Sequence, residues 1–204
     1  MTHRTVHEIN SFDWQNLLTE LSQSVLDSLD ERTLLTIPSA MRESRWLGYP
    51  PATSAAISAL EERLQLELPR SYKNFLSVSN GFQLVQPTIG GLYCVDAIER
   101  LTVLDSQLIE GFGQGYQVFG EVATVSDSDY LQYDELQDTA SFRLESLPST
   151  IVVGGASAQG YYLLNPDIIF ENGEWEAWVF ANWLPGARRS PSFLDMMLSE
   201  LNNV

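Results

Sequence analysis

Apolar side chains in the first third of the chain recur at helical spacing. Phe12, Trp14, Leu17, Leu18, Leu21, Val25 and Leu29 follow one another at three- and four-residue steps, with Ser11 placed to cap the helix they predict. Residues 1–10 lack this pattern and read as a loose tail. Residues 30–51 are mixed and hold Ile37-Pro38 and Gly48-Tyr49-Pro50-Pro51, which predicts a connector with a short turn of helix. Thr53 or Ser54 then caps a second helix, with the stripe Ile57, Leu60, Leu64 inside and Glu61 and Glu62 outside. Residues 66–82, LELPRSYKNFLSVSNGF, predict a third helix starting near Pro69. Tyr72, Phe75 and Leu76 form its buried edge, Arg70, Lys73 and Asn74 face out, and Asn80-Gly81 supplies a left-handed residue to end it.

From residue 84 the period shortens and glycine, threonine, valine and aromatics increase. Strands are predicted at 91–95 (GLYCV), within 116–125, and at 151–153, 161–164 and 168–170, with a short helical turn inside 97–104. Gly111, Gly113 and Gly115 mark a loop, and residues 127–138 form an acidic one. The stretch DIIFENGEWEAWVFANW reads as a hairpin with Asn172-Gly173 in a type I′ turn. Trp175, Trp178, Val179 and Phe180 put apolar groups on both faces of its second strand, which predicts burial on both sides. A closing helix follows, with Ser190 as cap, Pro191 in its first turn and the stripe Phe193, Leu194, Met197, Leu198, Leu201. Helices, then closely spaced strands, then one helix predict an α+β fold. Its sheet is mainly antiparallel, with helices on one face.

A chain of 204 residues with 44% apolar content can build a real core. No apolar run is long enough for a membrane span, and the N-terminus MTHRTVHEINSFDW has no apolar signal core. Cys94 is the only cysteine, so an intrachain disulfide and a cysteine-rich zinc site are excluded and a cytoplasmic setting is expected. Charge changes the picture most. Eleven Lys and Arg against 27 Asp and Glu give −16, a field that repels nucleic acid and anionic membranes and attracts a basic protein partner.

Candidate chemistry is thin. Gly155 and Gly160 in VGGASAQGYY have phosphate-loop spacing, but Tyr161-Tyr162 stand where a lysine and a hydroxyl residue must be. That predicts a glycine-rich connection between two strands. Gly111-Phe-Gly-Gln-Gly115 matches a dinucleotide fingerprint only loosely. Asp127-Ser-Asp129 opens like a calcium loop, but Leu131 and Gln132 break the ligand pattern. His3 and His7, the only histidines, lie in the tail, so a histidine-activated nucleophile in the folded body is not expected. No metal or cofactor is expected. A carboxylate pair for hydrolysis stays open, because spacing alone cannot pair two of 27 acids.

The run ISALEERLQLELPRSYKNFLSVSNGF resembles the signature of the SMI1/KNR4 family (SUKH superfamily), on Ile57, Leu60, Glu61, Leu64, Leu68, Pro69, Tyr72, Lys73, Phe75, Leu76, Asn80 and Gly81. IVVGGASAQGYYLLNP is similar to the family's central strands, although Gly160-Tyr161 replaces the frequent Gly-Asp step, and SPSFLDMML to its closing helix. The resemblance divides the chain into an N-terminal helical extension, 1–45, and a family domain, 46–204. It implies a non-enzymatic binding domain. Bacterial relatives are typically immunity proteins that neutralise a cognate toxin, often a nuclease, and fungal relatives are regulators and scaffolds. The partner expected here is a basic toxin domain. The contact is expected to include Asp127, Asp129, Asp134, Glu135 and Asp138 in the acidic loop. A regulatory scaffold or a carboxylate-pair hydrolase are the alternatives.

Overall fold

The computed structural model describes residues 3–86, 89–111, 125–133, 137–141, 143–156 and 159–203. Helices come first: α1 Val6–Asn10, α2 Trp14–Ser28, α3 Glu31–Leu34, α4 Ser39–Ser44, α5 Ser54–Leu64 and α6 Arg70–Val78. Then come β1 Phe82–Gln86, β2 Gly90–Leu92, a 3-10 turn Val95–Ala97, β3 Glu99–Arg100 and α7 Leu101–Leu104. Residues 106–111 are helical (α8). After these lie α9 Asp127–Tyr130, a 3-10 segment Leu144–Ser149, β4 Ile151–Ala156, β5 Gly160–Ile169, β6 Trp175–Ala181, β7 Ala187–Ser190 and α10 Phe193–Asn202. The seven strands form one sheet in the order β1-β2-β4-β5-β6-β7, with β3 also on β4, and every pairing is antiparallel. This is the expected α+β architecture.

Period-two alternation sorts the central strands onto two cores. Tyr162, Leu164, Trp175, Ala177, Val179 and Ala181 join the main core with α2, α5, α6 and α10. An aromatic knot binds the helices there: Trp14 to Phe75 and to Phe193, each at 5.7 Å, and Tyr72 to Phe193 at 4.8 Å. The opposite sheet face carries Tyr161, Leu163, Trp178 and Phe180 into a second core with Leu101 and Leu147. Helices therefore do not cover one face only. Described residues between β3 and β4, among them Leu101, Leu108, Ile109, Leu144 and Leu147, supply a second cover, and β6 is buried on both sides as its Trp pattern predicts.

Local chemistry explains where boundaries depart from the pattern. Within the expected loose tail 1–10, the described residues 3–10 are ordered. Thr5 and Glu8 form a reciprocal capping box and Ile9 is fully buried. Ser11 closes α1, and Asp13 caps α2 by accepting from Asn16 N. The strands expected at 161–164 and 168–170 are one bulged strand, β5. Asn172 is not in the left-handed region, so the hairpin turn is not type I′. Gly173 N donates to Phe170 O at 2.8 Å and Gly173 takes φ +79°, the three-residue loop that ends on a left-handed glycine. Ser190 belongs to β7, opposite Ala177, so Ser192 caps α10 instead. Helix α6 ends at Val78 with Ser79 extended, and Gly81 (φ +95°) does a different job. A Cβ there would lie 2.8 Å from Leu92 O, so only glycine lets β2 pass. The strands expected within 116–125 lie almost wholly outside the described residues.

Candidate interaction surface

Three of the five acidic candidates are described. Asp127 and Asp129 are exposed on the first turn of α9, and Asp138 is exposed beyond it. Asp134 and Glu135 lie outside the described residues. Ser126 caps α9 by accepting from Asp129 N, and its hydroxyl donates to the Asp129 carboxylate at 2.7 Å. Arg143 donates to Asp127. Asp138 accepts from Ser141 Oγ (2.7 Å) and Ala140 N (3.0 Å), and those bonds hold its carboxyl below the usual range. Leu131, which follows α9 in the chain, is 42% exposed.

The mounting beneath this surface was not foreseen from sequence. Glu176 lies on the second face of β6 and is fully buried. Its carboxylate accepts from Tyr130 Oη (3.0 Å), Tyr133 Oη (2.9 Å), Asn165 Nδ2 (3.0 Å) and Trp178 Nε1 (2.7 Å). Arg189 Nη1 stands 3.6 Å from it, an ion pair buried on both sides. Donors on both oxygens and a counter-charge make a buried carboxylate tolerable. Burial, reinforced by the Glu176 charge, pushes both phenols far above the usual tyrosine range, so they remain neutral donors.

Arg189 works from the other side. Its guanidinium lies 4.0 Å from the Tyr130 ring centre and 5.6 Å from that of Tyr133, and it donates to the Tyr130 carbonyl. Its backbone is taken by the Gln137 side chain, which accepts from Arg189 N at 2.7 Å and donates to Arg189 O at 3.0 Å. Thr139 O accepts from Ala187 N at 3.0 Å. Residues 137–139 thereby occupy the open edge of β7, which would otherwise offer unpaired backbone groups. The legible signal was Glu176 itself, a charged residue inside the apolar strand WEAWVFA, which demands a buried partner.

Gly155 and Gly160 lie in the β4–β5 hairpin, where Gly155 pairs with Tyr161 and Ala156 with Gly160. Gly113 and Gly115 are outside the described residues. Cys94 is half-buried between β2 and the 3-10 turn that follows, not in a strand. His3 packs against Phe170 with tilted rings, their centres 4.5 Å apart. Among the described residues, no three His, Cys, Asp or Glu side chains are grouped to hold a metal ion, and no helix is long and apolar enough to cross a membrane. A hollow of about 210 Å³ beside Leu108, Tyr161, Phe180 and Leu184 has no carboxylate, histidine or cysteine among the described residues that line it.

Charge is unevenly spent. Among the described residues, seven of the eleven Lys and Arg side chains sit in intramolecular ion pairs, one of them Arg189, buried with Glu176. Little positive charge is left to offset the exposed acids.

Helices packed across one face of an antiparallel sheet, with a polar-keyed segment on the other, define an α+β domain. The chain belongs to the SMI1/KNR4 family (SUKH-1), whose model matches residues 51–199. That span runs from just before α5 into α10 and includes Glu176, Arg189 and the acidic segment, while α1 to α4 precede it. No curated protein matches the sequence.

Proposed function

We propose that this protein is a non-enzymatic binding module that neutralises a basic toxin domain, such as a nuclease, by occupying its cationic surface. The observation that carries this reading is the mounted acidic segment, which exposes Asp127, Asp129, Asp138 and the apolar Leu131 on a chain of net charge −16. Exposed acidic groups together with an apolar side chain suit a basic cleft, with steered association and charge complementarity that sets specificity. Family membership is compatible with this role, and the buried carboxylates Glu174, Glu176 and Glu200 are each engaged by protein donors.

Capture from the native host at low and moderate salt, together with the product of any toxin gene beside this one, tests the reading. The expected result is a one-to-one complex that weakens with salt. The triple variant Asp127→Lys, Asp129→Lys, Asp138→Lys should weaken it at least a hundredfold, mainly through slower association. Unchanged affinity in that variant would move the contact to another face, and no captured protein at either salt would count against a binding role.

A further inference from the structure

The acidic segment and the main core are held by different means. The helices are joined to the sheet by apolar burial, through the knot of Trp14, Phe75 and Phe193. The described stretches 126–133 and 137–141 bury only Tyr130 and Tyr133, the first completely, and Leu131 and Gln132 are exposed. The bonds those stretches make to the sheet converge on two residues, Glu176 and Arg189. Thr139 O on Ala187 N lies two residues away from the second.

We propose that Glu176 and Arg189 form a latch that docks 126–133 and 137–141 as one unit. This unit opens locally, well before the helical core unfolds. The docked state fixes the spacing of Asp127, Asp129 and Asp138, so the latch positions the contact surface. That last clause rests on the binding role proposed above, and the opening itself does not. The latch is polar, and polar docking is lost bond by bond when a donor is removed. Local opening of such a unit needs only a fraction of the global unfolding free energy. The N-terminus adds to the latch from outside, since His3 meets the Tyr133 ring edge-on at 6.4 Å.

Hydrogen exchange read by mass spectrometry on the free full-length protein tests this. Tyr130→Phe and Tyr133→Phe each keep the ring on Arg189 and remove one hydroxyl. Each should speed exchange in 126–133 about tenfold, the scale of one hydrogen bond to a charged group, while α2 and α6 keep their protection. Tyr162→Phe is the control. Its hydroxyl donates to buried Glu200 at 2.8 Å on the opposite face, so it should leave exchange in 126–133 unchanged. Exchange in 126–133 that does not move in either variant, or that moves only in step with α2 and α6, would overturn the latch. Failure to capture a partner bears on the binding role and leaves this result untouched.

Discussion

Tyr72 shows what a single side chain contributes to the signature stretch. It is fully buried between Phe75 and Phe193, and its ring meets theirs at 5.9 and 4.8 Å. Its hydroxyl finds no partner among the described residues, and burial raises the phenol well above its usual pKa. A buried hydroxyl without an acceptor costs about 1–3 kcal/mol, whereas the ring supplies the packing. Tyr72→Phe should therefore hold or raise stability, by about 1 kcal/mol, in urea unfolding. A loss above that size would mean the hydroxyl is satisfied in solution. The same scale shows the limit of periodicity. Tyr72, Phe75 and Leu76 were legible as a buried edge because helical spacing places them together. Glu174 and Glu200 were not, because neither lies inside an apolar strand as Glu176 does, and a charged residue elsewhere carries no burial signal until its partner is known.

At the element scale, α6 begins at a proline with no side-chain cap of its own. Glu174, at the end of the β5–β6 hairpin, fills that role from across the fold. Its carboxylate accepts from Ser71 N at 2.9 Å and from the Ser71 hydroxyl. Burial raises its pKa despite those two bonds. The folded protein thus holds this proton to a higher pH than the unfolded chain does. The stability tied to this group is complete below about pH 4.5 and declines as pH rises through the raised folded value. Glu174→Gln removes that decline. The stability of the variant relative to wild type should climb from about pH 4.5 upward and then level off, measured by urea unfolding across pH. A flat difference would show that Glu174 titrates normally in the fold. Caps at Asp13 and Ser192 were missed for a related reason. Several Ser and Asp residues precede each helix, and the choice depends on where the preceding strand or turn releases the chain.

For the whole molecule, the family match begins at residue 51, yet the core does not. Trp14, Leu17, Leu18, Leu21, Val25, Leu26 and Ile37 belong to the same buried cluster as Phe75 and Phe193. Arg4 pairs with Asp195 at 2.8 Å, and Asn74 donates to Ile9 O at 3.2 Å. Burying six such aliphatic side chains contributes on the order of 10 kcal/mol, comparable to the whole stability of an ordinary domain. Ordering the segment offsets part of that, but α6 and α10 would be left with bare aromatic surface. A chain cut to residues 46–204 should fail to fold or should aggregate, as judged by circular dichroism and gel filtration. A well-folded monomer would show the extension to be dispensable.

What the sequence by itself determined follows from short-range physics. Helix stripes, the glycine-rich hairpin, the doubly buried Trp strand and the excess of acids are all properties of neighbouring positions or of composition, and so they are legible in one dimension. Only the tertiary structure decided that described residues between β3 and β4 cover the second sheet face. The same holds for residues 137–139 sealing the β7 edge, and for Glu176 and Arg189 meeting Tyr130 and Tyr133 beneath the exposed acids. Those contacts join residues 43 to 59 positions apart. Pairing at such range is set by strand order and by the need to satisfy buried charge, and neither leaves a local trace.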